Sequence, residues 1–376
     1  MFVKQFDILN KQGGNFMKHP KKAIAMIMLA VMMIFASQQE VMAWEWTLIN
    51  PIPETLEFGK AYNTTYPSER DKYRQYNMHL PQSGSITITV DTDGRNNMTS
   101  HWIKDSADNR ITDRLQKNGT YNYTTYLLAG DYVLCMGSND PKKNISFVVS
   151  FTPSGETVSE EYMHKNNMLG TATPYVLGSK IKAQFAENDD KDIYKFEVSK
   201  PGYLTLTCNN DMKSLDMQLV SEDNSVCYYE SGILLGANKY KYFVPMGTYY
   251  LSFQKDEDVG TYTFSTAHSC MSVSKIKQIK NLEGKKAKIT WTKKSDVDGY
   301  QVQVALNKKF TKGKKSKTLA VITAGYGRIR SNPTNHTFAK LKKGKYYYAR
   351  VRTYKLCNGK KCYSDWSSVK KFKVKK

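Results

Sequence analysis

Apolar and polar side chains alternate along the stretch from Asp192 to Cys208, whose sequence is DIYKFEVSKPGYLTLTC. A period of two is typical of β-strands, because successive side chains point to opposite faces of a sheet. Pro201-Gly202 interrupts the alternation and indicates a tight turn. The stretch therefore predicts two strands, each with one apolar face. The apolar positions are Tyr194, Phe196, Val198, Leu204, Leu206 and Cys208.

The same layout occurs about 120 residues earlier, where a strand-like run around Tyr73 leads to a turn at Gly84 and then to alternating Ile86 and Ile88. Near its end, each copy has a glycine two residues before a tyrosine, at Gly130 and Gly247. Glycine permits a tight bend before a strand. We therefore predict two β-modules in tandem, over 44–155 and 156–270.

A third alternating region covers residues 271–376. The run from Gly299 to Ala305 alternates without a break, and a Leu-x-x-Gly-x-x-Tyr pattern ends at Tyr347. One domain of about 100 residues can enclose its own core. The predicted core side chains are Trp291, Tyr300, Val302, Val304, Leu341, Tyr347 and Val351.

These patterns resemble two known families. Asp-x-Tyr, Pro-Gly before a Leu-x-Leu strand, and Gly-x-Tyr near the end make the first two modules similar to the bacterial pre-peptidase C-terminal domain. The last region resembles a fibronectin type III domain, through Trp291, the Gly-Tyr pair at Gly299 and the corner that ends at Tyr347. The resemblance implies an all-β chain of tandem β-sandwiches, the last an immunoglobulin-like fibronectin type III sandwich. It also implies that the tyrosine of the corner bonds back to the backbone.

The first 43 residues have the pattern of a secretory signal peptide. Lysines precede a run of 14 small and apolar residues, Ala23–Ala36, and Val41-Met42-Ala43 offers a cleavage site after Ala43. The run is short for a membrane-spanning helix, so we expect no transmembrane segment after cleavage. We also expect that translation starts at Met17. Secretion, and association with a bacterial cell wall or cell surface, is the predicted location.

Positive charge is concentrated at one end of the chain. The formal net charge is +22, yet residues 271–376 contain 30 lysines and arginines against 4 acidic residues, whereas residues 44–270 contain 21 against 28. Solubility requires far less imbalance than this. We therefore predict an anionic partner for the C-terminal domain, and favour an anionic cell-wall polymer or an acidic glycan over nucleic acid, which is a poor partner outside the cell.

Two loops and one strand supply the candidate contacts. The loop lysines are Lys314, Lys315, Lys317, Lys342, Lys343 and Lys345. Since Tyr347 is assigned to the core, Tyr346 and Tyr348 point outward beside basic side chains and are candidates for stacking on sugar rings.

The densest acidic run, Glu187–Asp192, has two readings. Carboxylates at close spacing are hard oxygen ligands, so Asp189, Asp190 and Asp192 could bind Ca²⁺, as some members of the resembled family do in this region. The run lacks EF-hand spacing. We favour a solvated loop before a strand and keep Ca²⁺ as the alternative.

The remaining candidate chemistry is sparse. Cys357 and Cys362 flank a predicted hairpin turn and are a candidate disulfide, and Cys208 could pair with Cys227. No zinc spacing, HExxH motif or GxSxG nucleophile elbow occurs, and we assign no catalytic, cofactor-binding or metal residue. The sequence thus favours a secreted, non-enzymatic binding or adhesion protein. The alternative is an accessory or divergent component of a secreted hydrolase system that degrades protein or polysaccharide.

Overall fold

The computed structural model describes residues 53–64, 73–92, 98–138, 144–158, 160, 165–233, 235–323 and 329–375. The predicted signal peptide, its cleavage site and the expected start at Met17 lie outside these residues. Within the described ranges the regular secondary structure is β-strand apart from one 3₁₀ turn, as the alternation predicted. No helix there has the length and apolar character of a membrane span.

The first nine strands form two sheets. Their bounds are Glu54–Thr55 (β1), Ala61–Thr64 (β2), Tyr73–Leu80 (β3), Gly84–Thr92 (β4), Met98–Asp105 (β5), Leu115–Asn118 (β6), Tyr121–Leu127 (β7), Gly130–Ser138 (β8) and Ile145–Pro153 (β9). The strand orders are β1-β3-β8-β5-β6 and β2-β9-β4-β7.

The next nine strands repeat this topology strand for strand. Their bounds are Thr173–Pro174 (β10), Lys180–Phe185 (β11), Lys191–Val198 (β12), Gly202–Asn210 (β13), Leu215–Ser221 (β14), Cys227–Glu230 (β15), Gly236–Val244 (β16), Gly247–Lys255 (β17) and Gly260–Cys270 (β18), and a single 3₁₀ turn, Leu169–Thr171, precedes them. The orders are β10-β12-β17-β14-β15 and β11-β18-β13-β16. Every strand of the first set thus has a counterpart nine strands later, which confirms the tandem β-sandwich prediction.

The stretch from Asp192 to Cys208 connects the two sheets of the second sandwich. Its two strands, β12 and β13, lie in different sheets, and their apolar faces meet in one core. Gly202 begins β13 where a Cβ atom would lie 2.2 Å from the carbonyl oxygen of Ser269, so only glycine fits there. The turn therefore carries the chain across the core instead of forming a hairpin.

The last ten strands form the C-terminal domain. Their bounds are Ile276–Leu282 (β19), Lys286–Trp291 (β20), Gly299–Ala305 (β21), Lys315–Ala320 (β22), Ile322–Thr323 (β23), Ile329–Ser331 (β24), Asn335–Phe338 (β25), Tyr346–Cys357 (β26), Lys360–Tyr363 (β27) and Lys370–Lys373 (β28). One sheet has the order β19-β20-β25. The other has the order β22-β21-β26-β27, with β28 also paired to β26, and β23 and β24 form a separate small hairpin.

The core of this domain includes all the side chains that were predicted for it, together with seven others. Trp291 is 1% exposed and donates its indole N–H to the carbonyl oxygen of Pro333 at 3.1 Å. The hydroxyl of Tyr347 accepts the backbone N–H of Lys342 at 3.1 Å, which is the expected bond of the tyrosine corner. All seven predicted core residues are buried.

The chain divides into two compact units. The first unit contains the residues up to Ser150, except for Leu80–Ile86 and Thr124–Gly130. The second unit contains those two segments and the residues from Phe151 onward. In the second unit, β18 extends to Cys270 and the next backbone N–H, of Met271, bonds to the carbonyl oxygen of Pro201 at 3.0 Å. The proposed domain bounds at 155 and 270 remain predictions.

Truncation of Trp291 tests the core of the C-terminal domain. We expect Trp291→Ala to lower its free energy of unfolding by about 3–5 kcal/mol, because the substitution removes a fully buried aromatic side chain. Chemical denaturation followed by circular dichroism measures the change. Lys308→Ala, at an exposed position of the same domain, should change it little, and equal stability of the two variants would contradict the core assignment.

Candidate functional site

Three buried carboxylates lie together in the second unit. Glu160, Asp189 and Asp192 are 8%, 2% and 1% exposed, and one oxygen atom from each lies within 4.8 Å of the others. Buried carboxylates are normally paired with cations or fully hydrogen-bonded, since a charged group loses its hydration on burial. A cluster of this kind is therefore the strongest candidate site in the described part of the chain.

Local hydrogen bonds hold the segment that carries Glu160 against the sandwich. Its carbonyl oxygen accepts the hydroxyl of Ser83 at 3.1 Å. Three residues earlier, Thr157 exchanges two bonds of 2.8 Å with the backbone of Lys182 on β11. After the segment, the amide oxygen of Asn166 accepts the backbone N–H of Ile193 at 3.1 Å. Glu160 and Asn166 are thereby held beside the start of β12, where Asp192 lies.

Burial raises the pKa values throughout this cluster. The pKa of Glu160 rises to about 8 and that of Asp189 to about 6. The pKa of Asp192 lies well above its usual value, mainly through burial and then through the charge of Glu160. Burial also raises the pKa of Glu156, on the same linker, to about 7. In the absence of a cation, the cluster therefore retains protons near neutral pH.

The unpaired atoms of the cluster are all oxygens. Both carboxylate oxygens of Glu160, both of Asp189 and the amide oxygen of Asn167 are buried without a hydrogen-bond partner. The nearby ammonium groups of Lys165 and Lys255 donate to the carbonyl oxygens of Asn188 and Ala186. A set of buried acceptors without donors matches what a hard cation such as Ca²⁺ requires, so the residues present fit this ion.

Asp192 also connects the cluster to the aromatic core. Its carboxylate accepts the hydroxyl of Tyr262, which lies 3.0 Å from the hydroxyl of Tyr194. All three side chains are buried. A displacement of Asp192 would therefore disturb the packing of β12 against β18.

The structure corrects the favoured reading of the acidic run. Asp189 and Asp192 are buried rather than solvated, and only Asp190 is exposed, where it accepts the side-chain amide of Asn167 at 3.2 Å. The reason is that the run enters the edge of the core instead of passing over it. Sequence reasoning missed Glu160 and Glu156, which lie about 30 residues upstream; two glutamates in the linker between repeats were the signal available.

The predicted basic loops lie at the same end of the C-terminal domain. The ammonium of Lys315 donates to the carbonyl oxygens of Ala339 at 2.6 Å and Lys340 at 3.0 Å, so β22 reaches the turn before β26. Lys315 is thus partly engaged within the domain. The other five predicted contacts are exposed: Lys314, Lys317, Lys342, Lys343 and Lys345.

The two candidate stacking tyrosines differ in exposure. Tyr346 is 50% exposed, and the ammonium groups of Lys371 and Lys373 lie 4.3 and 5.6 Å from its ring centre. Tyr348 is only partly exposed and pairs with Lys371 across the β26–β28 ladder. Both side chains leave the sheet on the side opposite Tyr347, as predicted.

All six cysteines are free thiols in the structure. Cys357 faces Lys360 and Cys362 faces Lys355 in the β26–β27 ladder, so the two thiols are diagonal neighbours, and both line a cavity of about 420 Å³. Their disulfide remains a prediction. The suggested pairing of Cys208 with Cys227 is wrong, because Cys208 lies in the core whereas Cys227 is exposed on the outer side of β15.

A histidine and an aspartate in the first unit form a close polar pair beside a cavity. Nδ1 of His79 lies 2.7 Å from the carboxylate of Asp131, and both line a cavity of about 350 Å³ with Ser106. The two side chains are 70% and 72% exposed. Water at such a site weakens the electrostatic effects on which nucleophilic catalysis depends, so the pair does not favour hydrolysis.

Comparison with known proteins gives structural neighbours only. No family model matches the chain, and no curated protein matches it. The pre-peptidase C-terminal domain of a collagenase from Bacillus anthracis is similar at 24% identity over 26% of this chain and 94% of its own, with a TM-score of 0.23. An Fn3-like protein from Clostridium thermocellum is similar at 19% identity over 27% and 92%, with a TM-score of 0.20.

A third solved structure, described as a myokine, is 14% identical over 29% of this chain and all of its own, with a TM-score of 0.22. The neighbours thus include both domain types that the sequence motifs resemble. The fold described above rests on the strand orders, the shared core and the tyrosine corner of this chain itself.

The raised pKa values predict how stability depends on pH without metal. The folded state binds protons at Glu160, Glu156 and Asp189 that the unfolded chain releases near pH 4, so the free energy of unfolding should fall as pH rises through the folded pKa values of about 6 to 8. Circular dichroism melting curves in EDTA between pH 5 and pH 8 measure this fall.

A double variant supplies the control. Glu160→Gln with Asp189→Asn removes two titrating groups and keeps their shape, so its melting temperature should change less with pH than that of the wild type. Asp190→Asn, at the exposed neighbouring position, should keep the wild-type dependence. Equal pH dependence of the double variant and the wild type would show that these carboxylates do not control stability.

Proposed function

We propose that this chain is a secreted, non-enzymatic modular binding protein of a bacterial cell surface, whose basic C-terminal domain attaches to an anionic wall polymer or acidic glycan. The observation that carries the proposal is the charge of that domain, 30 basic residues against 4 acidic ones. The signal-peptide pattern of the first 43 residues supports secretion.

The arrangement of the lysines supports a polymer as the partner. The turn before β22 and the turn before β26 lie side by side through Lys315, and together they present five exposed ammonium groups. These ammonium groups repel one another when no anion is bound. A polyanion relieves this repulsion and releases its condensed counterions on binding, which makes association favourable at low salt.

Ca²⁺ is the second ligand in this proposal, bound by the buried carboxylates of Glu160, Asp189 and Asp192. The support is the five buried oxygens without hydrogen-bond partners, four of them on Glu160 and Asp189. Bound there, Ca²⁺ would offset most of the negative charge of the cluster and hold Glu160 against the second sandwich. Its role in this scheme is structural, since the ion would join Glu160 to Asp189 and Asp192 of the second sandwich.

Salt dependence tests the attachment to polymer. The full mature chain should bind cell walls that retain teichoic acid at low salt and release them by about 0.5 M salt, where the Debye length falls to roughly 4 Å. Pull-down of the protein with walls before and after extraction of teichoic acid measures this binding. Binding that is independent of salt, or equal on extracted walls, would contradict an anionic wall polymer.

A matched pair of triple variants tests the location of the contact. Lys342, Lys343 and Lys345 changed to Gln should weaken binding and reduce the slope of log affinity against log salt by up to about three. Lys275, Lys277 and Lys280 changed to Gln remove the same charge from exposed positions at the start of the domain and should reduce affinity less. Equal losses would show that net charge, and no particular surface, governs binding.

Isothermal titration with CaCl₂ tests the metal site. The wild type should bind Ca²⁺ and gain thermal stability, because the ion binds only the folded state. Asp189→Asn should abolish this binding, whereas Asp190→Asn should retain it, since Asp190 lies outside the buried cluster. Retention of binding by Asp189→Asn, or its loss in Asp190→Asn alone, would place the ion elsewhere.

A further inference from the structure

The outer face of the larger C-terminal sheet has a stack of arginine and aromatic side chains. The guanidinium carbon of Arg350 lies 4.0 Å from the ring centre of Phe310 and 4.0 Å from that of Trp366. That of Arg352 lies 4.3 Å from Trp366 and 3.6 Å from Tyr363. These distances are typical of strong cation–π contacts, so both guanidinium groups are held in fixed planes.

Strand β26 and the segment after β27 fix the position of the stack. The hydroxyl of Ser364 accepts the backbone N–H of Thr353, and the hydroxyl of Ser367 accepts that of Val351, both at 3.0 Å. Trp366 lies between these two serines and is therefore held against the strand. Part of the stack therefore serves to pack this segment against β26, a role that requires no ligand.

The glutamines opposite the arginines leave their charge without a counterion. Arg350 donates from Nε and Nη2 to Gln303, at 3.0 and 2.8 Å, and Arg352 donates from Nε to Gln301 at 2.8 Å. Among the described residues, no carboxylate lies within ion-pair distance of either guanidinium. If the stack served packing alone, we would expect a neighbouring carboxylate to neutralise the arginine charges, because half-buried charges are stabilised by opposite charges.

Arg352 has the donor edge that an anion would use. Its Nε bonds to Gln301, whereas its terminal nitrogens, Nη1 and Nη2, have no acceptor among the described residues. Two parallel N–H groups at the end of a guanidinium match the two oxygens of a carboxylate. Arg350 already donates a hydrogen bond from Nη2 to Gln303, so its main role is to position the stack.

The basic and aromatic surface continues along β26 from Arg352 to Tyr346. Every second residue faces outward, and Tyr348 and Tyr346 pair with Lys371 and Lys373 on β28. The six residue steps from Arg352 to Tyr346 span about 20 Å. The result is a strip that presents both cations and aromatic rings, long enough for several sugar units. We call the strip formed by Tyr346, Tyr348, Arg350, Arg352, Trp366, Lys371 and Lys373 the arginine–tyrosine strip.

We propose that the arginine–tyrosine strip binds a uronic acid polysaccharide, with Arg352 pairing a sugar carboxylate and Tyr346 stacking on a sugar ring. The inference rests on the proposed function and narrows its ligand. A polymer that bears one ring and one carboxylate in each unit offers partners to both the aromatic rings and the cations of the strip. A polyol phosphate chain lacks the rings and would leave the tyrosines without a partner.

Binding of the full mature chain to immobilised polygalacturonate tests this inference. Polyphosphate, fully methyl-esterified polygalacturonate and single-stranded DNA are the comparison ligands. Polygalacturonate should bind more tightly than each of them, because it alone has both sugar rings and carboxylates. Equal or tighter binding of the methyl ester would refute the carboxylate contact, and equal or tighter binding of polyphosphate or DNA would refute the ligand class.

Arg352→Lys is the decisive variant, since it keeps the charge and removes the two-pronged donor. We expect it to weaken polygalacturonate binding by about tenfold or more and to leave polyphosphate binding within about twofold. Lys288→Gln, on the opposite sheet, is the control and should change both little. If Arg352→Lys folds poorly, Tyr346→Ala with Lys371→Gln tests the exposed end of the strip, with the same expected selectivity.

The outcomes separate this inference from the function on which it rests. If neither polyphosphate nor polygalacturonate binds the wild type, attachment to anionic polymer itself is refuted. If both bind and the folded Arg352→Lys and Tyr346→Ala/Lys371→Gln variants retain wild-type affinity for polygalacturonate, only the assignment to the strip is refuted. Selective loss of polygalacturonate binding in these variants supports both.

Discussion

Each sandwich depends on the burial of one face of every strand against the opposite sheet. Side chains of a strand alternate, so this burial assigns half of the positions to the core and leaves the other half for solvent or ligand. In the second sandwich, the ring centres of Tyr194 and Phe264 lie 4.8 Å apart across the two sheets, and so do those of Phe253 and Tyr262. One candidate site lies at outward-facing positions of the strands, and the other lies at the edge of the core.

The two candidate ligands, an anionic polymer and a divalent cation, suit these two locations for opposite electrostatic reasons. The basic C-terminal domain carries most of its candidate contact lysines at exposed positions, where charge costs little and long-range attraction is largest. The acidic cluster of the second sandwich lies at the edge of the core, where burial raises the pKa values of the carboxylates and makes their charge costly. A divalent cation relieves that cost, whereas a surface cluster of the same residues would gain much less from it.

Period-two alternation predicted the strands and the two tandem β-modules, whereas the sandwich fold was implied by the resemblance to known families. Trp291, Tyr300 and Tyr347 were assigned to one core, and they lie in one core. It could not show that β12 and β13 lie in different sheets, because a Pro-Gly turn permits both a hairpin and a crossing. The acidic site was predicted only in part. Asp189 and Asp192 are close in sequence, but Glu160 lies about 30 residues upstream, and the bonds of Ser83 and Asn166 help to hold it beside them. Pairing at such sequence separations is a property of the fold and leaves no periodic signal.

The position of Lys315 and Lys317 has a consequence for self-association. Both lie on β22, an edge strand, opposite Val304 and Val302 in the ladder with β21, so they extend from the core side of the sheet. An edge strand with free backbone groups can recruit a strand from another molecule, and a charged side chain on its inner side makes that addition costly. Copies crowded along one polymer would therefore remain separate molecules instead of joining into continuous sheets.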